Sequence, residues 1–264
     1  MAFPPTAETL LRDAAGLGIL RDLLASELER SRHMAASAAP RAPREGMGPF
    51  EAALRRGPLP VIAEFKRASP SLGPFAAGAD VRRQLAAYAR GGAAACSILA
   101  EPDRFLGRPG DFAEARGLPV LYKGFVCTEA HLDEAAALGA DAALLITRLL
   151  GEHLAGFAAA ARARGLEPLV EVHDPGEIPF AQSARVRMVG WNARDLADFS
   201  VRKAPAALLR QAFPEALLIR ESGLKTPEDA GAALGEGFDA LLVGEALMRA
   251  ADPAGFLARI PVRP

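Results

Sequence analysis

Short apolar runs alternate with helix-like stretches through most of the chain. The runs are VIAEFK (61–66), AACSILA (94–100), PVLYKGF (119–125) and DAALLIT (141–147), then EPLVEVH (167–173), RMVGWN (187–192), LLIRESG (217–223) and DALLVGE (239–245). Each is nearly continuously apolar, which suits parallel strands buried on both faces. Their starts lie 20 to 33 residues apart, the length of a strand plus its crossover helix. The intervening segments carry helix punctuation. In TPEDAGAALGEG, Thr226 is placed as an N-cap, Pro227 at the first helical position, acids in the first turn and glycines beyond the end. In TEAHLDEAAALGAD, Thr128 is the cap and Gly139 the stop. Eight such units predict an α/β chain, a single (β/α)8 TIM barrel over 57–264. Residues 1–56 read as two helical patterns around the Pro-interrupted ASAAPRAPREGMG. They are expected to form an N-terminal helical extension packed on the barrel, over one mouth, and not a separate domain. Residues 107–119 are short for a full second helix.

Polar residues interrupt these runs mainly at one end. Glu64 and Lys66 close the first strand, Lys123 the third, Glu171 and His173 the fifth, Asn192 the sixth, and Glu221 and Ser222 the seventh. Residues two apart in a strand share a face, so Glu64 and Lys66 both point inward if either does. Any one of these alone reads as a strand-end charge reaching solvent. Together they mark the C-terminal mouth, where catalysis sits in this architecture. Two lysines and three glutamates suit acid–base chemistry on a carbonyl-containing anion. Neighbouring ammonium groups are expected to depress one another's pKa, so that a lysine donates a proton near neutrality. Gly223 and Gly244 follow the seventh and eighth strands, the usual phosphate position in such barrels. With Ser69-Pro70-Ser71-x-Gly73 they point to a phosphorylated substrate.

Composition narrows the field. The 264 residues are 50% hydrophobic and 24% charged, with formal net charge −1. That balance gives no electrostatic case for nucleic acid or an anionic membrane. No apolar run approaches the ~20 residues of a spanning helix, and the start lacks a secretory pattern. Of 31 basic residues only Lys66, Lys123, Lys203 and Lys225 are lysine, so a lysine at a buried strand end stands out as a chemical group. Cys96 and Cys127 read as reduced core residues of a cytoplasmic protein. His173 beside Asp174 reads as part of a helix N-terminal cap. His33, His131 and His153 lie in helical segments without ligand spacing. No metal and no cofactor are expected, and there is no GxGxxG after a first strand, no phosphate-binding P-loop motif and no nucleophile elbow. Trp191 fits either the mouth or the core.

The motifs VIAEFKRASPSLG, SILAEPDRF-LG, PVLYKGFV, EPLVEVHD, GWNARDL, RESGL and LLVGEALMR, in that order over about residues 45–258, resemble the indole-3-glycerol phosphate synthase family of tryptophan biosynthesis. The resemblance implies closure of an indole ring on 1-(2-carboxyphenylamino)-1-deoxyribulose 5-phosphate, with loss of CO2 and water. It implies Lys123 as general acid on the ribulose carbonyl, Glu171 as the acid–base group of dehydration and Glu64 as a second carboxylate near the reacting hydroxyl. Lys66 would contact the anionic substrate, and Asn192 and Glu221 would position it. Ser69, Arg194, Ser222, Gly223, Gly244 and Glu245 complete the implied binding set. The implied protein is a cytoplasmic monomer, with a weak dimer as the alternative, whose only partner is a small phosphorylated substrate.

The sequence departs from the family pattern at Gly124, where Asp follows the lysine, and at Ala193, Arg220, Ala246, Ala100 and Arg108. Restoring Gly124→Asp is expected to raise turnover if the missing carboxylate merely weakens an intact site. The alternatives are a divergent second copy acting on a modified ring in a specialised pathway, another phosphosugar-handling barrel lyase or isomerase, and a catalytically impaired phosphate-binding barrel.

Overall fold

A computed structural model describes residues 4–14, 18–34, 42–70, 72–194 and 204–261. Ser71 and Lys203 lie outside the described residues, as do residues 36–41 of the Pro-interrupted stretch. Ten strands are described. Eight of them, β1 (Leu59–Phe65), β4 (Ala93–Leu99), β5 (Val120–Lys123), β6 (Ala142–Ile146), β7 (Glu167–Val172), β8 (Met188–Asn192), β9 (Leu217–Glu221) and β10 (Ala240–Val243), pair in parallel in sequence order. β10 returns to β1 and closes the barrel. The fold is the predicted (β/α)8 barrel, with every expected strand present. The remaining two, β2 (Ala68–Ser69) and β3 (Gly73–Pro74), form a small antiparallel hairpin after β1.

Barrel strands are buried on nearly every residue because helices cover the outside and side chains fill the inside. The expected caps are only partly as read. Thr226 and Asp229 form a reciprocal capping box that opens helix Pro227–Gly235. Thr128 stands at the N-cap of helix Glu129–Ala137 without a side-chain cap bond; its hydroxyl is 2.9 Å from His131 Nδ1 instead. Gly139 adopts the left-handed conformation beyond the helix end. The segment after β4 holds only the one-turn helix Pro109–Phe112, in keeping with its short length.

Among the described residues, the N-terminal region contributes three helices where two were expected: α1 (Ala7–Asp13), α2 (Ile19–Ser31) and α3 (Pro49–Arg56). Leu10, Leu20, Leu23, Leu24 and Leu28 join the continuous buried core. At the closed end of the barrel, the Glu167 carboxylate accepts the N–H groups of Gly48, Phe50 and Glu51 at 3.1, 2.8 and 3.0 Å, satisfying donors that the start of α3 cannot satisfy itself. At the other end, α2 is fixed by buried charge. One Glu27 oxygen accepts from Arg30 Nη2 at 2.7 Å and lies 2.9 Å from His131 Nε2, while Arg30 reaches Glu134 at 3.0 Å. Glu134 also accepts from the Tyr122 hydroxyl. This network ties α2 to the strand that ends in Lys123.

Candidate active site

The C-terminal ends of the strands open into a cavity of about 780 Å³. All twelve residues singled out from the sequence line it: Glu64, Lys66, Ser69, Lys123, Glu171, Asn192, Arg194, Glu221, Ser222, Gly223, Gly244 and Glu245. Leu20 and Leu23 of α2 add an apolar wall, together with Leu99, Phe105 and Phe125. The inward placement follows from the pleat: Glu64 and Lys66 meet as an ion pair at 2.6 Å. Two glycines make the charged groups fit. Glu171 on β7 and Gly190 on β8 are register partners, and a Cβ at Gly190 would overlap Glu221 Oε1. The missing side chain lets Glu221 reach across β8 towards Glu171. Likewise, a Cβ at Gly244 would overlap Glu64 and stand 3.0 Å from Lys66 Nζ. Beyond β9, Ser222 and Gly223 both take left-handed backbone at φ 63 and 78, so the chain turns sharply into the cavity rim.

Lys123 Nζ bonds Glu221 at 2.7 Å and Glu171 at 3.3 Å. Burial alone would lower the lysine's pKa, but Glu221, Glu171 and Glu64 outweigh it and hold the ammonium well above its ordinary range. This corrects the expectation of a lysine depressed by its neighbour: the second lysine is already paired with Glu64, and Lys123 faces carboxylates. The two glutamates diverge. Burial, reinforced by Glu171, pushes the Glu221 carboxyl up to about 8 despite Lys123. Burial would also raise Glu171, yet Lys123 and His173 overcome it and hold that carboxyl below the usual range. Glu221 thus holds its proton more readily than Glu171 while both bond one ammonium, an arrangement able to give and take protons at neighbouring points.

The profile of the indole-3-glycerol phosphate synthase family matches residues 24–260. The chain belongs to that family. It is 46% identical over 209 residues to indole-3-glycerol phosphate synthase 2 of Streptomyces coelicolor, covering 77% of this chain and 81% of the relative. Identity to the indole-3-glycerol phosphate synthase of Deinococcus radiodurans is 44% over 219 residues, with 78% and 81% covered. For that of Streptomyces griseus it is 39% over 246 residues, 91% of each chain. Among solved structures, the N-acetylmannosamine-6-phosphate 2-epimerase from Clostridium perfringens aligns at a TM-score of 0.58 and 18% identity, over 78% of this chain and 93% of that one. That likeness concerns the fold alone.

The family departures now have surroundings. Ala193 and Arg220 serve the backbone of Glu221: the Ala193 N–H donates to its carbonyl at 3.1 Å and Arg220 Nη1 at 3.0 Å. Ala246 and Gly124 line the cavity. A Cβ at Gly124 would stand 2.8 Å from the ring of Tyr122, which is fully buried and fixed by Glu134. Gly124→Asp would therefore have to displace the Tyr122 ring before it could restore a carboxylate to the site.

Three features were not resolved by sequence reasoning. His173 does lie in the cap region, its backbone N–H donating to Glu177 at 2.8 Å, but the place of its ring was not foreseen. Asp174 caps the following turn by accepting from Gly176 at 2.8 Å, while His173 is buried behind Glu171 with its Nε2 3.2 Å away. Trp191 is core, not mouth. Finally, Asp13, Glu152 and His153 bring one potential ligand atom each within 4.8 Å of one another. Asp13 and Glu152 are exposed carboxylates, and the trio lies outside the cavity. Cys96 and Cys127 are buried free thiols.

Proposed function

We propose that this protein is a carboxy-lyase that closes the indole ring of 1-(2-carboxyphenylamino)-1-deoxyribulose 5-phosphate, giving indole-3-glycerol phosphate, CO2 and water. One observation carries the reading: Lys123 is bonded to both Glu221 and Glu171, beside the Glu64–Lys66 pair, in the cavity of a chain that belongs to this family.

Closure requires the ring carbon that bears the carboxylate to attack the ribulose carbonyl. The Lys123 ammonium stabilises the negative charge that develops on that oxygen and supplies its proton. Glu221, neutral and 2.7 Å away, can restore the proton to Lys123. As the ring carboxylate departs as CO2, its electron pair returns to the ring and aromaticity is recovered. The new hydroxyl then leaves as water, taking a second proton from the Lys123 ammonium that Glu221 has recharged. Glu171, an anion at the same ammonium, takes the proton lost in forming the indole double bond. Glu64 stands near the departing hydroxyl and Lys66 meets the substrate carboxylate, with Asn192 orienting the chain between them.

Ser69, Ser222 and the backbone at Gly223 and Gly244 are assigned to the phosphate, with Arg194 and Glu245 at the rim. The apolar wall of Leu20, Leu23, Leu99 and Phe105 suits the aryl ring. We read residues 1–56 as an extension that completes this mouth, and 57–264 as the barrel proper. We read the protein as a cytoplasmic monomer whose site draws all twelve assigned residues from one copy of the chain. No helix among the described residues is long and apolar enough to cross a membrane.

The test is turnover of the purified protein on the anilino-deoxyribulose phosphate, followed by indole fluorescence and CO2 release. Indole-3-glycerol phosphate and CO2 in equal amounts are expected. An inert protein, or product without decarboxylation, would overturn the reading.

A further inference from the structure

Glu171 on β7 and Glu221 on β9 share one ammonium, and the chemistry depends on which of them carries a proton. Lys123 does not favour Glu171, since its Nζ is nearer Glu221, at 2.7 Å against 3.3 Å. The asymmetry lies behind Glu171, in a residue that does not line the cavity. His173 follows Glu171 by two positions at the end of β7 and is buried. Its Nε2 stands 3.2 Å from Glu171 Oε1, and its Nδ1 3.8 Å from Glu177 Oε2. Neither ring nitrogen has a hydrogen-bond partner of good geometry. Glu177 is itself fixed, accepting the His173 backbone N–H at 2.8 Å and Arg148 Nε at 2.8 Å. A neutral imidazole would turn a lone pair towards one of two carboxylates; a protonated ring meets both. Glu221 has no such cation behind it: its Oε1 is buried beside Gly190 without a partner.

We propose that His173 is a positioning residue for this reaction: its imidazolium, behind Glu171, fixes Glu171 as the carboxylate of the pair and leaves the shared proton on Glu221. The inference rests on the ring closure proposed above. It divides the two glutamates into a proton acceptor, Glu171, and the group that reprotonates Lys123, Glu221. The charges around each group agree. His173 faces Glu171 on its own strand end, Glu177 in the turn that follows, and Arg148 from helix Thr147–Leu150. Burial and Arg148 would lower its pKa, and the two carboxylates raise it. Glu171 faces Lys123, His173 and Glu221.

The experiment is the pH profile of turnover from pH 4 to 9 for wild type, His173→Gln and His173→Lys. In His173→Gln, kcat is expected to fall with KM unchanged, because the side chain does not reach the cavity. Losing the cation raises the pKa of Glu171, so the acid limb should move up by about one pH unit, a tenfold loss on that side. His173→Lys keeps a cation and should move the limb back. A fall in kcat that is equal at every pH, or a lysine variant no better than the glutamine, overturns the proposal. If the wild type does not turn the substrate over, the proposed reaction fails separately. The proton assignment is then read by carboxyl-13C NMR of glutamate-labelled wild type and His173→Gln, with Glu171 identified by its loss in Glu171→Gln. A Glu171 titration that does not move overturns it there too.

Discussion

Gly190 leaves the space that Glu221 occupies: a Cβ on Gly190 would overlap the Oε1 of Glu221, two strands of the mouth being bridged over a residue with no side chain. The approach of Glu221 to Glu171, and with it their shared hold on Lys123, depends on that gap. Gly190→Ala is accordingly expected to push Glu221 aside. Misplacing a reacting group by about 1 Å costs on the order of 10²-fold in rate, so kcat should fall by about that factor. Steady-state kinetics check this, and a variant with wild-type kcat would show that Glu221 does not need its position.

Lys123→Met removes the charge that offsets three buried carboxylates. Turnover is expected to fall at least about 10³-fold, the scale of a lost acid together with its electrostatic stabilisation. The fold should survive, but breaking a buried pair costs about 3–5 kcal/mol. That cost depends on pH. Without the ammonium, Glu171 and Glu221 in the native state bind protons more tightly than in the unfolded chain, so the variant is most stable below the ordinary carboxylate range and loses stability as pH rises. Thermal melts at pH 5 and pH 8 should show a larger deficit against wild type at pH 8.

In the wild type the same reasoning applies to Glu221 alone. Its native pKa of about 8 lies above the ordinary 4.5. Its contribution to stability is thus complete below the ordinary value and is lost as pH rises through about 8. His173, raised from its ordinary value, contributes in the same sense across neutral pH. Glu221→Gln should flatten the decline in Tm between pH 5 and 8 that the wild type shows. In activity, kcat/KM of the wild type should drop above pH 8 as the free enzyme loses the Glu221 proton. An equal Tm decline in both proteins would mean that Glu221 is ionised throughout.

The barrel and the membership of its mouth were legible because parallel strands read as apolar runs, against which Glu64, Lys123, Glu171 and Glu221 stand out as costly exceptions. Their charge states were not legible. Whether Lys123 is depressed by a lysine or raised by glutamates turns on distances of 2.7 and 3.3 Å across strands far apart in the chain. Gly190 looked like an ordinary strand residue and Gly244 like a phosphate-loop glycine, since a glycine's pattern does not say whose atoms fill the missing space. His173 suggested a cap because Asp174 beside it is one; only the turn that brings Glu177 back beneath it shows where the ring lies.

Gly124 is a second place where sequence and space disagree. The family pattern invites Gly124→Asp, yet the new Cβ would stand 2.8 Å from the Tyr122 ring and 3.4 Å from Ala100 Cβ. Tyr122 is buried and bonded to Glu134, so it cannot swing away freely. Overpacking of this kind costs about 1–3 kcal/mol. Gly124→Asp is therefore expected to lower stability by that amount and to leave kcat no higher than wild type. Denaturant midpoints and kcat measured together check both parts, and a faster enzyme of unchanged stability would contradict this geometry.

Glu27 offers the test of what the N-terminal region does. Its buried carboxylate lies 2.9 Å from His131 Nε2 and accepts from Arg30, contacts that outweigh burial and hold its pKa below the usual range. Four residues away along α2, Leu23 lines the cavity, as does Leu20. Glu27→Ala removes the acceptor facing His131 Nε2 and one of the two carboxylates that hold Arg30, at a cost of about 3–5 kcal/mol. Because the Glu27 pKa is lowered by folding, its contribution is present above the ordinary carboxylate value and lost as pH falls, so the deficit should be larger at pH 7 than at pH 4. If α2 completes the aryl side of the mouth, loosening it should raise KM several-fold with a smaller change in kcat. A variant that melts earlier yet keeps its KM would assign α2 to stability alone and leave substrate binding to the barrel.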